Sequence, residues 1–258
     1  MVRVKEILSK LEDAAPYALA EHWDNVGLLV GDPEQEVTDV LCALDITMDV
    51  VEEAIERGCQ LIVAHHPVIF TSVSRVTADT VTGRVLIRMI RNNISGICMH
   101  TNMDCAEAGV NDLLAASLGL TDVVNMEAGD NKMLGRVGNL PQPMTLEAFA
   151  QHVKASLGAG GVRVADGGRM VSRVAVGGGA CGKLMEFALA KGADTFVIGD
   201  SSYDLMQRAH DIGLNLVDAG HFPTENPVAC GFRDLIAEHF PSLQSVVSGV
   251  HKDVISFY

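Results

Sequence analysis

The sequence predicts an α/β fold made of two similar halves on largely parallel sheet. Three observations carry this. Short apolar runs alternate with stretches of helical periodicity along most of the 258 residues, the pattern of βαβ units. VLCALDIT (40–47) opens on a continuous apolar run rather than an alternating one, which suits a strand covered on both faces. The order strand, helix, strand, helix, strand also occurs twice. VLCALDITMDVVEEAIERGCQLIVAHH lines up with VAVGGGACGKLMEFALAKGADTFVIGD, with Ala54 and Gly58 matching Ala188 and Gly192.

The elements follow in order. Val4, Ile7, Leu8 and Leu11 predict a helix that stops before Pro16. GLLVGD (27–32) and VLCALDIT read as strands, and MDVVEEAIERG (48–58) as a helix closed by its glycine. LIVAHH reads as a strand, TVTGRVLIRMIRNN (80–93) as a helix, ISGICMH (94–100) as a strand and GVNDLLAASLGL (109–120) as a helix. The pattern loosens from Leu134 to about Gly168, around one helix in TLEAFAQHVKASLG, and a domain boundary or crossover is expected there. The alternation then resumes: SRVAVGGG, TFVIGD, LNLVDAG and SVVSG as strands, with helices in GKLMEFALAKG, YDLMQRAHDIG and NPVACGFRDLIAEHF.

Composition narrows the function. The net charge is -14 and aromatics are 5%, so the core is mainly aliphatic. Non-specific binding to nucleic acid or an anionic membrane, which needs excess Lys and Arg, is not expected. No apolar run approaches the ~18 residues of a membrane span, and the amphipathic MVRVKEILSKLEDAAP does not read as a leader. Six scattered cysteines without CxxC spacing read as small buried hydrophobes in a reducing compartment. A cytoplasmic location is the expectation.

Ligands of parallel α/β sheets bind beyond the carboxyl ends of the strands. The polar residues that break the apolar runs lie at such ends: His65 and His66, His100 and Asp104, Asp200, His221 and Glu225. HTNMD and HFPTE share the form His-x-x-x-acid. Imidazole and carboxylate without thiolate suit Zn, Fe, Mn or Ni, and so many donors can hold more than one ion. Glu225 is placed to bridge two ions, or to complement a helix start. For His100 three roles stay open: a ligand, a group hydrogen-bonded to Asp104, or a core histidine. His22, His152, His210, His239 and His251 read as surface or structural groups.

Two further stretches are ambiguous. Gly177 to Lys183 fits G-x-x-x-x-G-K, but Leu184 stands where a phosphate loop needs Ser or Thr for magnesium. A glycine turn for close packing is preferred there over an anion site. Trp23-Asp24-Asn25 either lines a pocket mouth or forms a turn around a half-buried ring.

WDNVGLLVGD, LIVAHHPVIF, HTNMDCAEAGVND and DAGHFPTE, in this order, resemble the Nif-three-like family, also described as type 2 GTP cyclohydrolase I homologues. The likeness covers nearly the whole chain and is to the short form, without an inserted middle domain. It implies two similar α/β lobes with mixed, largely parallel sheets flanked by helices, and a dinuclear metal site in the cleft between them. It implies two divalent ions per chain held by His65, His66, Asp104, His221 and Glu225, with Glu225 bridging. His100 matches a family histidine near the metals and is the candidate catalytic group. The N-terminal lobe would span 1–130, completed by about 220–258, and the second 131–219, in one compact two-lobed unit. A ring-shaped homohexamer is also implied. Where many members have a histidine this chain has Asp204, which puts a substrate or proton-transfer role there in doubt.

The expected function is a dinuclear-metal-dependent hydrolase of the GTP cyclohydrolase type, acting on a purine nucleotide or related heterocycle as small-molecule substrate. The alternatives are a metal-dependent phosphoesterase and a non-catalytic metal-binding scaffold or adaptor. A cation near the metals would favour an enzyme.

Overall fold

The computed structural model describes residues 1–126 and 133–258. The expected boundary at 130/131 lies outside the described residues. The chain divides into two compact units, Met1–Glu107 with Val228–Lys252, and Ala108–Pro227 with Asp253–Tyr258.

The first unit opens with β1 (Val2–Arg3), α1 (Val4–Ala14), β2 (Gly27–Val30), β3 (Glu36–Val37) and β4 (Asp39–Ala43). It continues through α2 (Met48–Arg57), β5 (Leu61–Ala64), α3 (Val81–Arg91), β6 (Ser95–Cys98) and α4 (Thr101–Cys105). The second unit carries α5 (Val110–Ser117), β7 (Thr121–Asn125), β8 (Arg136–Met144), α6 (Leu146–Leu157), β9 (Arg163–Ala165) and β10 (Val171–Val176). It ends with α7 (Met185–Ala190), β11 (Thr195–Ile198), α8 (Tyr203–Asp211), β12 (Asn215–Asp218) and α9 (His221–Glu225). The chain then returns to the first unit through α10 (Pro227–His239) and β13 (Gln244–Val247).

Local chemistry explains the helix limits. Thr47 and Thr80 cap α2 and α3 by accepting from Val50 N and Gly83 N, each worth about 1 kcal/mol. Gly58 ends α2 with φ 71°, a left-handed turn that glycine adopts without cost. Its expected counterpart Gly192 has φ 77°, and Ala54 and Ala188 are both fully buried.

In the first unit the sheet order is β13-β4-β5-β6-β2. The first four strands are parallel, and β2 is antiparallel to β6. Val50, Val51 and Ala54 of α2 and Val85, Leu86 and Met89 of α3 pack against Leu41, Ala43, Ile62 and Ala64. Register fixes the site: Ala43 pairs with Ala64, and Ala64 with Cys98. Asp45, His65 and His100 thus leave the sheet at nearly one level.

In the second unit the order is β7-β8-β10-β11-β12-β9, and only β10, β11 and β12 run parallel. The sheet is mixed because β8 and β9 run antiparallel to β10 and β12; β8, which the sequence presents as a loose stretch, is a nine-residue strand containing Pro141 and Pro143. The ladder from β7 stops at Asn139. The prolines therefore lie where β8 has one ladder neighbour, and a missing N–H is tolerated there.

Cys42, Cys59, Cys98, Cys105 and Cys181 are buried and Cys230 is exposed, with no disulfide among the described residues. Burial pushes the Cys98 thiol up to about 12 and that of Cys59 to about 11. Among the described residues no helix is long and apolar enough to cross a membrane.

Candidate metal centre

Strand β5 ends at Ala64 because the next two amides leave the ladder. His65 N and His66 N both donate to Leu44 O, at 3.1 and 2.9 Å. Neighbours on a strand point to opposite faces; this shared acceptor turns both histidines toward one place, with ring centroids 5.0 Å apart. His100, just past β6, lies 5.2 Å from the His65 ring and 5.6 Å from the His66 ring. One ring nitrogen from each of the three lies within 4.8 Å of the others. Asp104, buried on α4, brings Oδ1 to 3.6 Å from His65 Nε2.

Each of these histidines is held by Nδ1. His65 Nδ1 lies 2.8 Å from Met99 O, His66 Nδ1 2.8 Å from Asp45 Oδ1, and His100 Nδ1 2.8 Å from Asp24 Oδ1. Asp24 also accepts from Thr101 N at 2.9 Å and Thr101 Oγ1 at 2.5 Å. Burial pushes the Asp24 carboxyl up, but the hydrogen bonds from His100 and Thr101 outweigh it and hold the group below its ordinary range. Asp45 is also held low, with burial opposed by bonds from His251 and His66. Both carboxylates therefore accept from the Nδ1–H of their histidine, and in a neutral imidazole so held the lone pair lies on Nε2. Of the roles open for His100, the partner is Asp24 and not Asp104.

In the second unit, His221 and Glu225 stand one turn apart on α9, with Nε2 3.0 Å from Oε2. Asp200 Oδ2 lies 2.7 Å from His221 Nδ1, so this histidine is held in the same way. Glu225 is 4% exposed. The glycine turn makes room for it. A Cβ on Gly179 would overlap Glu225 Oε1 and stand 3.0 Å from the His221 ring. Gly178 N donates to Asn111 Oδ1 and Gly179 N to Thr224 Oγ1. In the G-x-x-x-x-G-K stretch these two amides are engaged, and Gly177, Gly178, Gly179 and Gly182 each stand where a Cβ would meet a neighbour.

The structure therefore brings together His65, His66, His100 and Asp104 in the first unit, and Asp200, His221 and Glu225 in the second. Two groups at the first cluster are not among the expected site residues. Asp45 ends the β4 run as the histidines end theirs, a strand-end signal that was available. For His251 the structural alternative of the sequence reading fits: its side chain is 8% exposed, with Nε2 3.1 Å from Asp45 Oδ2, and only the partner has no local sign in the sequence. His152, His210 and His239 bond backbone carbonyls, as structural groups do. Trp23 is half exposed and meets His100 and Phe70 edge-on at 6.1 and 5.9 Å. Asp204 is exposed in the first turn of α8, with a hydrogen bond from Ser202 holding its carboxyl below the ordinary value.

Imidazoles oriented by the acceptors behind them, with carboxylate oxygens beside them past the strand ends, define a candidate divalent-metal protein of the mixed α/β class. The chain belongs to the Duf34/NIF3 (NGG1p interacting factor 3) family, whose model matches residues 2–254. It is 39% identical over 232 residues to the GTP cyclohydrolase 1 type 2 homolog of Clostridium acetobutylicum, covering 88% of this chain and 86% of that one. The protein of the same name from Clostridium perfringens is 36% identical over 265 residues, with 99% and 100% covered. Among solved structures, Staphylococcus aureus protein SA1388 superposes with a TM-score of 0.94 at 29% identity, with 99% of each chain covered. The Bacillus cereus protein related to NIF3 gives 0.92 at 28% identity, with 100% and 99% covered. The alignment with the Halalkalibacterium halodurans relative runs over 364 residues, longer than this chain, so that relative carries inserted residues.

Proposed function

We propose that the chain is a dinuclear-metal-dependent hydrolase of the GTP cyclohydrolase type. In this reading His65, His66 and Asp104 of the first unit and His221 and Glu225 of the second hold two divalent ions, with Glu225 bridging, in one compact two-lobed body. The observation that carries it is the common orientation of the histidines. His65, His66 and His221 each have Nδ1 against a carbonyl or carboxylate oxygen, the arrangement that orients a metal-ligating imidazole and raises its basicity. The donor set has no thiolate and fits Zn, Fe, Mn or Ni. Such ions supply Lewis acidity and acidify coordinated water. In this reading His100, whose Nδ1 is bonded to Asp24, moves a proton through Nε2.

A cavity of about 330 Å³ supports an enzyme over a scaffold. His66 and Asp45 form part of its wall beside apolar Ile46, Met48 and Val85, and Arg84 supplies a cation. This suits a small molecule with a flat ring, whose faces can lie on apolar side chains, and an anionic group, as a purine nucleotide has. The same arginine also favours the second reading, phosphoester cleavage at the same centre. The hexameric ring implied by the family likeness belongs to this proposal and is tested by light scattering.

The deciding experiment measures metal content, then incubates metal-loaded protein with GTP and a panel of phosphoesters. Formate release supports the cyclohydrolase reading, and phosphate release the esterase. Metal-loaded protein that turns over none of them sinks both and leaves the scaffold.

A further inference from the structure

Asp45 has both carboxylate oxygens engaged: Oδ1 with His66 Nδ1 at 2.8 Å, and Oδ2 with His251 Nε2 at 3.1 Å. An ionised carboxylate only accepts, so both rings donate. The Asp45 side chain is 39% exposed and that of His251 8%. A carboxylate so open to water, held at one oxygen alone, would rotate among solvent-facing rotamers; the buried ring of His251 fixes its second oxygen.

His251 is itself delivered to that place. Beyond β13, Ser248 N donates to Cys42 O at 2.8 Å. Ser248 Oγ donates to Glu53 Oε2 at 2.5 Å and Gly249 N to Glu53 Oε1 at 3.0 Å. His251 N in turn donates to Ser248 Oγ at 3.1 Å. The buried Glu53 of α2 thereby seats the turn that carries His251.

We propose that His251 is a positioning residue of the metal centre, fixing the His66 imidazole for coordination through Asp45. The inference rests on the reading of His66 as a ligand. Outer carboxylates behind a metal-bound histidine typically change metal affinity by about 10–100-fold. His251 stands one bond further out, so its removal is expected at the low end of that range.

The test is zinc affinity of the full chain, by competition with a chromophoric chelator, for wild type, H251A, H251N and H251Q. The melting temperature of each metal-free protein is recorded alongside. The Gln amide reaches as far as Nε2 and keeps a donor for Asp45; the Asn amide stops short. Zinc binding about tenfold weaker in H251A and H251N, with H251Q near wild type, is the expected result. Equal affinity in wild type and H251A overturns the proposal. So does equal weakening in H251N and H251Q, which assigns the effect to ring packing instead. Should H251A fail to fold, the H251N and H251Q pair decides. Wild-type protein that binds no zinc or other divalent ion marks a failure of the metal reading, and the inference falls with it. Bound zinc without a difference between H251N and H251Q is a failure of the inference alone.

Discussion

Asp200 holds its backbone in the left-handed region, φ 55°, with its Oδ2 2.7 Å from His221 Nδ1. A non-glycine residue there is uncommon, although Asp tolerates it better than most. Backbone strain of this kind persists where the surrounding structure requires it. Here it aims a carboxylate at a histidine. Asp200→Gly is expected to leave the metal-free melting temperature unchanged or higher, since glycine adopts this φ freely. Zinc affinity is expected to fall by about 10–100-fold. Chelator competition on the two proteins checks both halves, and undiminished affinity would remove Asp200 from the site.

Glu225→Ala removes the proposed bridge while leaving the rest of α9. The expected outcome is loss of at least one metal ion per chain with the fold retained, read by elemental analysis and circular dichroism. Full metal occupancy in this variant would end the bridging role.

Gly179→Ala inserts a methyl group into the space taken by Glu225 Oε1 at a position with φ 64°. The left-handed backbone alone costs about 1–2 kcal/mol for an L side chain. The overlap with Glu225 adds to this and displaces the carboxylate. A lower midpoint in urea together with reduced zinc binding is expected. A control, Gly168→Ala, also has positive φ, 75°, but meets nothing within 4 Å; it should lose stability without losing metal.

Arg84→Gln tests the cavity beside His66. If Arg84 meets an anionic group of the substrate, KM rises about tenfold or more with metal content unchanged. Arg84→Lys recovers part of the loss as a point charge without the guanidinium fork. An unchanged KM for an anionic substrate would exclude this cavity as its binding place.

Glu53 supplies a pH signature. Burial pushes its carboxyl up, but Ser248, Gly249 and Arg57 bond the ionised form and hold it below its ordinary value. A carboxyl with a lowered folded-state pKa contributes stability above its unfolded value, about 4.3 for Glu. That contribution is lost as pH falls through the folded value. Glu53→Gln is therefore expected to be less stable than wild type at neutral pH, by about 1 kcal/mol. The gap should narrow on acidification below about pH 4.3. Urea titrations across that range check the sign, and a gap constant with pH would contradict it.

Much of the fold was legible because burial writes itself as unbroken apolar runs: Leu61–Ala64 and Thr195–Ile198 are strands buried at every position. Polar residues stopping those runs marked His65, His66, His100 and His221 for the same reason. What escaped depends on pairing across the sequence. Pro141 and Pro143 argue locally against a strand, and only the short reach of β7 makes them acceptable in β8. Asp45 and His251 are far apart in sequence, and neither carries a local sign of the other. Their relation appears only when the turn after β13 is seated on Glu53.

The glycine turn at 177–183 bears on how motifs should be interpreted. Gly177 N donates to Val197 O, Cys181 N to Gly179 O, and Gly178 N and Gly179 N to side chains of Asn111 and Thr224. A phosphate loop works by presenting such amides to a ligand. Writing Ser in place of Leu184 would complete the letters of the motif, yet these four donors would still have their acceptors within the protein. The order of glycines is a spelling that different hydrogen-bond inventories can share, and here four of its amides are turned onto the protein itself.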